Sequence, residues 1–90
     1  SAILSADDVL AIGALKALEK HQMQMPVIGY NNTRFAQCCT PELSSIDSHF
    51  NRLCEKACSI LADALAGKTP PVTTKLPASI VRRKSYSPSI

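Results

Sequence analysis

The stretch from Val27 to Phe50, VIGYNNTRFAQCCTPELSSIDSHF, decides how this chain folds. A short apolar run, Val27-Ile28, is closed by Gly29-Tyr30 and the polar pair Asn31-Asn32. Thr40-Pro41-Glu42-Leu43 punctuates the chain, and Pro41 disfavours helix at Thr40. Asn32 to Gln37 fits either a short helix or a loop. Ser44-Ser45-Ile46 has weak β character, and Asp47 leads into an amphipathic helix. The order is strand, polar loop at the strand's carboxyl end, crossing segment, helix. Open α/β sheets bind ligands just outside the carboxyl ends of their strands. Asn31, Asn32 and the residues after Ile46 are therefore the first place to look for a small-molecule site.

Upstream, Ile3-Leu4 reads as a strand, and Ser5-Ala6-Asp7-Asp8 supplies a turn and a helix N-cap. A capping Asp accepts from free backbone N–H groups, and a second Asp in the first turn suits the positive end of the helix dipole. The helix should run from about Asp8 to about His21. Leu10, Ala11, Ala14, Leu15 and Leu18 share a broad face for packing on a sheet, opposite Lys16, Glu19 and Lys20. Ile12 falls among the charges, either as a lone exposed apolar residue or as a subunit contact. Met23 to Pro26 makes a tight link into Val27. Strand, helix and strand at this spacing form a βαβ unit, with parallel strands and a right-handed crossover.

Downstream, Phe50, Leu53, Cys54, Ala57, Cys58, Ile60, Leu61, Ala64 and Leu65 fall on one stripe of a helix, opposite Asn51, Arg52, Glu55, Lys56, Ser59 and Asp63. Asp47 or Ser48 can cap its start, and Gly67 stands where a left-handed residue ends a helix. After the loop Lys68-Thr69-Pro70-Pro71, Val72–Leu76 and Ser79–Val81 read as two short strands divided by Pro77. Ser85 to Ile90 reads as a frayed tail.

The chain has 90 residues, which suits one small domain or part of a larger one. Aromatic residues make up 4% with no Trp, so the core must be aliphatic. A net charge of +3, partly from Arg82-Arg83-Lys84, is too weak and too local for a nucleic-acid surface. No apolar run is long enough to span a bilayer, and Ser1-Ala2-Ile3-Leu4 lacks the basic region of a signal peptide. The start without a methionine suggests a fragment or a domain excised from a longer protein. Cys38 and Cys39 are adjacent, and Cys54 and Cys58 lie one helical turn apart, so neither pair staples distant loops. Reduced thiols in the cytoplasm follow. Cys54 and Cys58 invite a metal reading, but their stripe is the packing stripe, and only His21 and His49 could complete four ligands. No metal and no cofactor are expected. Cys38 or Cys39 with His49 as base, or Asp7 with Asp8, could be imagined as catalytic pairs. No further motif supports either, so no enzyme is expected.

The motifs resemble the C-terminal part of the LacI/GalR family of bacterial transcription regulators. Ala6-Asp7-Asp8-Val9-Leu10-Ala11-Ile12-Gly13-Ala14 is similar to that family's A-N-D-x-M-A-x-G-A segment. Val27-Ile28-Gly29-Tyr30-Asn31-Asn32 is similar to its V-x-G-[FY]-D-[DN] strand end, and Thr40-Pro41-Glu42-Leu43-Ser44-Ser45-Ile46 to its T-P-x-L-T-T-[VI] run. Leu76-Pro77 with Ile80-Val81-Arg82-Arg83-Lys84-Ser85 resembles its closing L-P-x-x-L-V-x-R-x-S strand. The family usually places a few more residues between the positions of Pro26 and Val27.

The resemblance implies an α/β effector domain of the periplasmic-binding-protein-like type I fold, a parallel sheet flanked by helices and built as two subdomains. Residues 1–46 and 73–84 would belong to the C-terminal subdomain. Residues 47–72 would cross the hinge and pack a helix on the N-terminal subdomain, with the DNA-reading helix-turn-helix upstream. The implied partners are a small-molecule effector (a sugar or sugar phosphate), operator DNA and a second copy in a homodimer, with no membrane. The implied effector contacts are Asp7, Asn31, Ser48 and Phe50. The family's usual pair, Asn then Asp, is exchanged here at Asp7 and Asn31. Asp offers only acceptors and Asn offers both roles, so the polar inventory survives with a different hydroxyl pattern. Capping is the simpler role for Asp7, and a place in its helix's stripe the simpler one for Phe50. Ile12, Leu15, Cys39 and Thr40 would form the dimer interface. A periplasmic sugar-binding protein serving an ABC transporter shares this general fold and is the alternative.

Overall fold

The computed structural model describes residues 1–86. Four short strands form one sheet in the order β1 (Ile3–Leu4), β2 (Val27–Tyr30), β3 (Ser44–Asp47), β4 (Ser79–Val81). The first three run parallel, and β4 returns antiparallel to β3, pairing Ser45 with Val81 and Asp47 with Ser79. Helix α1 (Asp8–Lys20) connects β1 to β2 as the expected βαβ unit. A four-residue helix, α2 (Phe35–Cys38), fills the segment whose sequence fits either a helix or a loop. Helix α3 (Phe50–Leu65) leaves the end of β3.

The core is aliphatic and small: Ala11, Leu15, Val27, Ala36 and Leu43, with Ile3, Ile12, Leu18 and Cys39 packed at its margin. The inward face of α1 is therefore centred on Asp8, Ala11 and Leu15, roughly 60° around the helix from the face read by hydrophobicity. Leu10, assigned to that face, is 59% exposed. Ile12, assigned to the wet face, is half-buried against the core. The reason is a polar residue: Asp8 points inward, and apolar content alone cannot locate a face built around a carboxyl group.

Both long helices end in the same way. After α1, Gln22 N–H bonds Glu19 O and Met23 N–H bonds Leu18 O, with Gln22 left-handed at φ 53°. After α3, Gly67 N–H bonds Ala64 O and Lys68 N–H bonds Asp63 O, with Gly67 at φ 87°. These are Schellman closures, which satisfy carbonyls that the helix leaves open.

Three expectations change. Val72–Leu76 forms no strand, and Val72 is fully exposed. Ser85 is not part of a tail: it is buried, and its N–H, carbonyl and hydroxyl are all bonded. The rest of the expected tail, beyond residue 86, lies outside the described residues. The apolar stripe of α3, read as a packing face, is largely uncovered among the described residues: the helix buries no residue, Ile60 is half-buried, and Cys54 and Cys58 are exposed. The body is correspondingly drawn out, 58 × 26 × 18 Å with a radius of gyration of 17.2 Å. A compact chain of this length would have about 12 Å.

Candidate functional site

The three parallel strands end at one edge. Ser5 N–H bonds Ile28 O at 2.9 Å and Asn31 N–H bonds Ile46 O at 2.8 Å, so the residues after β1, β2 and β3 are neighbours. This edge carries Asp7, Asn31 and Ser48, three of the expected contacts. Asp7 is the N-cap of α1, its Oδ1 accepting from Leu10 N–H at 2.8 Å. Asn31 is exposed, left-handed at φ 92°, and its carboxamide makes no hydrogen bond within the described residues. Asn tolerates that backbone better than most side chains. Ser48 is buried, and Phe50 stands 67% exposed at the first residue of α3.

Beneath this edge lies a polar lattice centred on a residue that the sequence marks only as a first-turn acid. Asp8 is fully buried. Its Oδ2 accepts from Thr33 N–H at 2.6 Å and Thr33 Oγ1 at 2.8 Å, and its Oδ1 accepts from Ser45 Oγ at 2.6 Å. Gly29 makes room for it: a Cβ there would run into Asp8 Oδ1 and stand 2.8 Å from Leu43 Cδ2. Ser45 Oγ accepts in turn from Asn32 N–H at 2.9 Å. The signal was present, since Asp8 matches the acid of the family's A-N-D segment while Asp7 departs from it.

Asn32 carries the lattice outward. Its Oδ1 accepts from Arg83 Nη2 at 2.8 Å, and its Nδ2 donates to Asp47 Oδ2 at 3.2 Å. Arg83 Nη1 is held by Leu43 O at 2.7 Å. Asp47 Oδ1 accepts from His49 N–H at 2.8 Å, and His49 Nε2 lies 3.1 Å from Ser79 Oγ. The His49 N–H first, then the Asn32 amide, hold the Asp47 carboxyl below its usual value near 3.8, with the nearby His49 ring adding to the effect against some desolvation. His49 is left-handed at φ 55° and is the N-cap of α3 without a side-chain cap bond. Neither Asp47 nor Ser48 caps that helix as expected, because Asp47 spends its oxygens on the turn itself.

The residues expected at the subunit contact differ in exposure. Leu15 lies in the core, and Ile12 and Cys39 are half-covered by it. Thr40 is exposed. Cys39 Sγ donates to Pro41 O at 3.3 Å. Among the described residues, no group of three His, Cys, Asp or Glu side chains could hold a metal, and no helix is long and apolar enough to cross a membrane.

A periplasmic binding protein-like domain matches residues 1–86. An HTH-type transcriptional regulator of Lachnoclostridium phytofermentans is 39% identical over 88 residues, covering 93% of this chain and 26% of that protein. The HTH-type transcriptional repressor PurR of Yersinia enterocolitica is 32% identical over 92 residues, covering 97% and 27%. Among solved structures, the lac repressor dimer bound to operator and the anti-inducer ONPF matches with a TM-score of 0.87 at 30% identity, over 93% of this chain and 31% of that one. A LacI family transcriptional regulator from Arthrobacter sp. FB24 in complex with lactose matches with a TM-score of 0.80 at 27% identity, over 93% and 34%. The chain spans about a quarter of the length of the curated relatives it matches.

Proposed function

Because the chain belongs to the periplasmic binding protein-like domain family, we propose that it forms the C-terminal part of the effector-binding domain of a LacI/GalR-type transcription regulator. The relatives at this similarity are regulators of transcription, which favours this reading over a transporter's binding protein. The observation that carries it is the carboxyl edge of the sheet. There an exposed, left-handed Asn31 follows β2, while Ser48 and the exposed Phe50 ring follow the neighbouring β3, above a polar lattice that fixes the backbone.

That edge suits a sugar. Asn31 offers a donor and an acceptor, Asp7 keeps one oxygen free after capping, and Phe50 offers an apolar face to the ring's C–H groups. The second wall of the cleft would come from the N-terminal subdomain, against which the apolar stripe of α3 would also pack. The regulator would act in the cytoplasm as a homodimer, reading a two-fold operator through an upstream helix-turn-helix. Its subunit contact would centre on Thr40, with the outer surfaces of Cys39 and Ile12. Leu15 has too little exposed surface to take part.

The test is a thermal-shift panel of neutral and phosphorylated mono- and disaccharides on the full-length protein. Ligand at 100 times its Kd should stabilise by about 2.7 kcal/mol. Operator affinity should change at the same concentrations. A panel without any shift, together with operator binding indifferent to every sugar, would overturn the reading.

A further inference from the structure

Asn32 and its neighbours connect more of the fold than a binding edge requires. The joint between β3 and α3 is two residues long, Ser48 and His49. The direction in which α3 leaves the sheet is therefore set by very little backbone, including the left-handed turn at His49. That turn is held from one side by Asp47 Oδ1 on the His49 N–H. From the other side, His49 Nε2 lies against Ser79, the first residue of the returning strand β4. Asp47's second oxygen is held by Asn32 Nδ2, and Asn32 is held by Arg83 from β4's far end and by Ser45 from β3. Both chain crossings are thus tied, through one carboxamide, to the residue directly after Asn31.

We propose that Asn32 is a positioning residue: its carboxamide, set between Arg83 and Asp47, fixes the joint at Ser48–His49 and couples the Asn31 edge to the direction of α3. The coupling to an effector rests on the function proposed above; the fixing of the joint does not. The chemistry requires a group that accepts toward Arg83 and donates toward Asp47. An amide does both at once, with its oxygen and its nitrogen pointing to different partners. A carboxylate at position 32 would keep the Arg83 bond but face the Asp47 carboxylate with no proton to give. An amide at position 47 would cure that defect, because its NH2 can donate to the new carboxylate while its oxygen still accepts from His49 N–H. The pair should therefore tolerate exchange and fail when either member is changed alone.

The experiment is hydrogen–deuterium exchange on the full-length protein, without ligand, comparing wild type, Asn32→Asp, Asp47→Asn and the double variant. Each single change should speed exchange at His49 and through the first turn of α3 by about tenfold, as expected for a lost local bond. The double variant should return to within about twofold of wild type. Singles that exchange like wild type, or a double variant as fast as the singles, would overturn the proposal. Core amides of α1 serve as the reference: if they too accelerate in the singles and stay fast in the double, Asn32 is only a general structural residue and the proposal fails. A parallel titration with lactose separates the two readings. Uptake by wild type with no change of protection in α3 sinks the coupling, whereas a wild type that takes up no lactose bears only on the effector reading and leaves the exchange result to decide the joint.

Discussion

Removing Asp8 should be among the costlier single side-chain truncations in the described part of the chain, and Gly29 offers a way to prove why. Asp8→Ala leaves Thr33 N–H, Thr33 Oγ1 and Ser45 Oγ without their acceptor; Ser45 is fully buried and Thr33 half-buried. A typical internal hydrogen bond nets about 1 kcal/mol, and a buried donor left unpaired costs about 1–3 kcal/mol. The two hydroxyls can rotate to other acceptors but the Thr33 N–H cannot, so the loss should be about 3 kcal/mol. Gly29→Ala drives a Cβ against Asp8 Oδ1 and Leu43 Cδ2, an overpacking worth about 1–3 kcal/mol. In the double variant the new methyl enters space that Asp8 has vacated, so the two losses should not add. The combined cost should fall short of the sum by about 1 kcal/mol. Urea unfolding of the full-length protein and the three variants, compared by midpoint at unchanged slope, measures the cycle. Additivity within about 0.5 kcal/mol would show that Gly29 is not there to admit Asp8.

Asn31→Gly should weaken sugar binding about fivefold or more, the loss of one good polar contact, while leaving thermal stability nearly unchanged. Glycine is the informative replacement because alanine at φ 92° would add backbone strain, and unchanged affinity by calorimetry would remove Asn31 from the site. Gln22→Gly should stabilise the domain by up to about 1 kcal/mol by relieving a left-handed Gln at the end of α1, whereas Gly67→Ala should lose about as much after α3; opposite signs in thermal melts are the check. Asp47 has a lowered pKa in the fold, so the stability it confers is complete above the unfolded value near 3.8 and is lost as pH falls through the lower folded value. Asp47→Asn should therefore flatten the stability profile below about pH 4, after an initial loss at neutral pH, and an unchanged acid limb would deny Asp47 that role.

The βαβ unit was legible because its signals are local: a short apolar run, a cap at Asp7, an amphipathic helix and a second apolar run. The rotation of α1 was not, because the residue that defines its inward face is an acid. Ser44 and Ser45 show the same limit. Both are fully buried in the middle of the sheet, where the Ser44 hydroxyl donates to Tyr86 O at 2.7 Å and accepts from Arg83 N–H at 2.6 Å. Partners 39 to 42 residues away decide such a position, and no window along the chain contains them. Ser85 is instructive in another way. Local composition makes it a tail, yet its hydroxyl donates to Val27 O at 2.7 Å and accepts from Ser44 N–H at 2.7 Å. The R-x-S ending of the resemblance, Arg83 and Ser85, marked both residues without giving the reason for either. At the candidate site, Asn31 was found by its place at a strand end, whereas Asp8, Thr33, Arg83 and His49 act through tertiary contacts that spacing does not reveal.

The same lattice explains why so thin a core can hold its edge in place. Only five apolar residues are buried among the described residues, two of them alanines, and α3 buries none. What the core cannot do by volume, Asp8, Ser45, Asn32, Arg83 and Ser85 do by direction, since each bond they make fixes the end of one strand against another. A site built in this way is precise only as long as the strands stay paired. On the proposed function, the apolar face of α3 would be covered by the N-terminal subdomain, and that packing would support the pairing. Recognition at Asn31 and burial of α3 would then be one requirement seen at two ends of the same short joint.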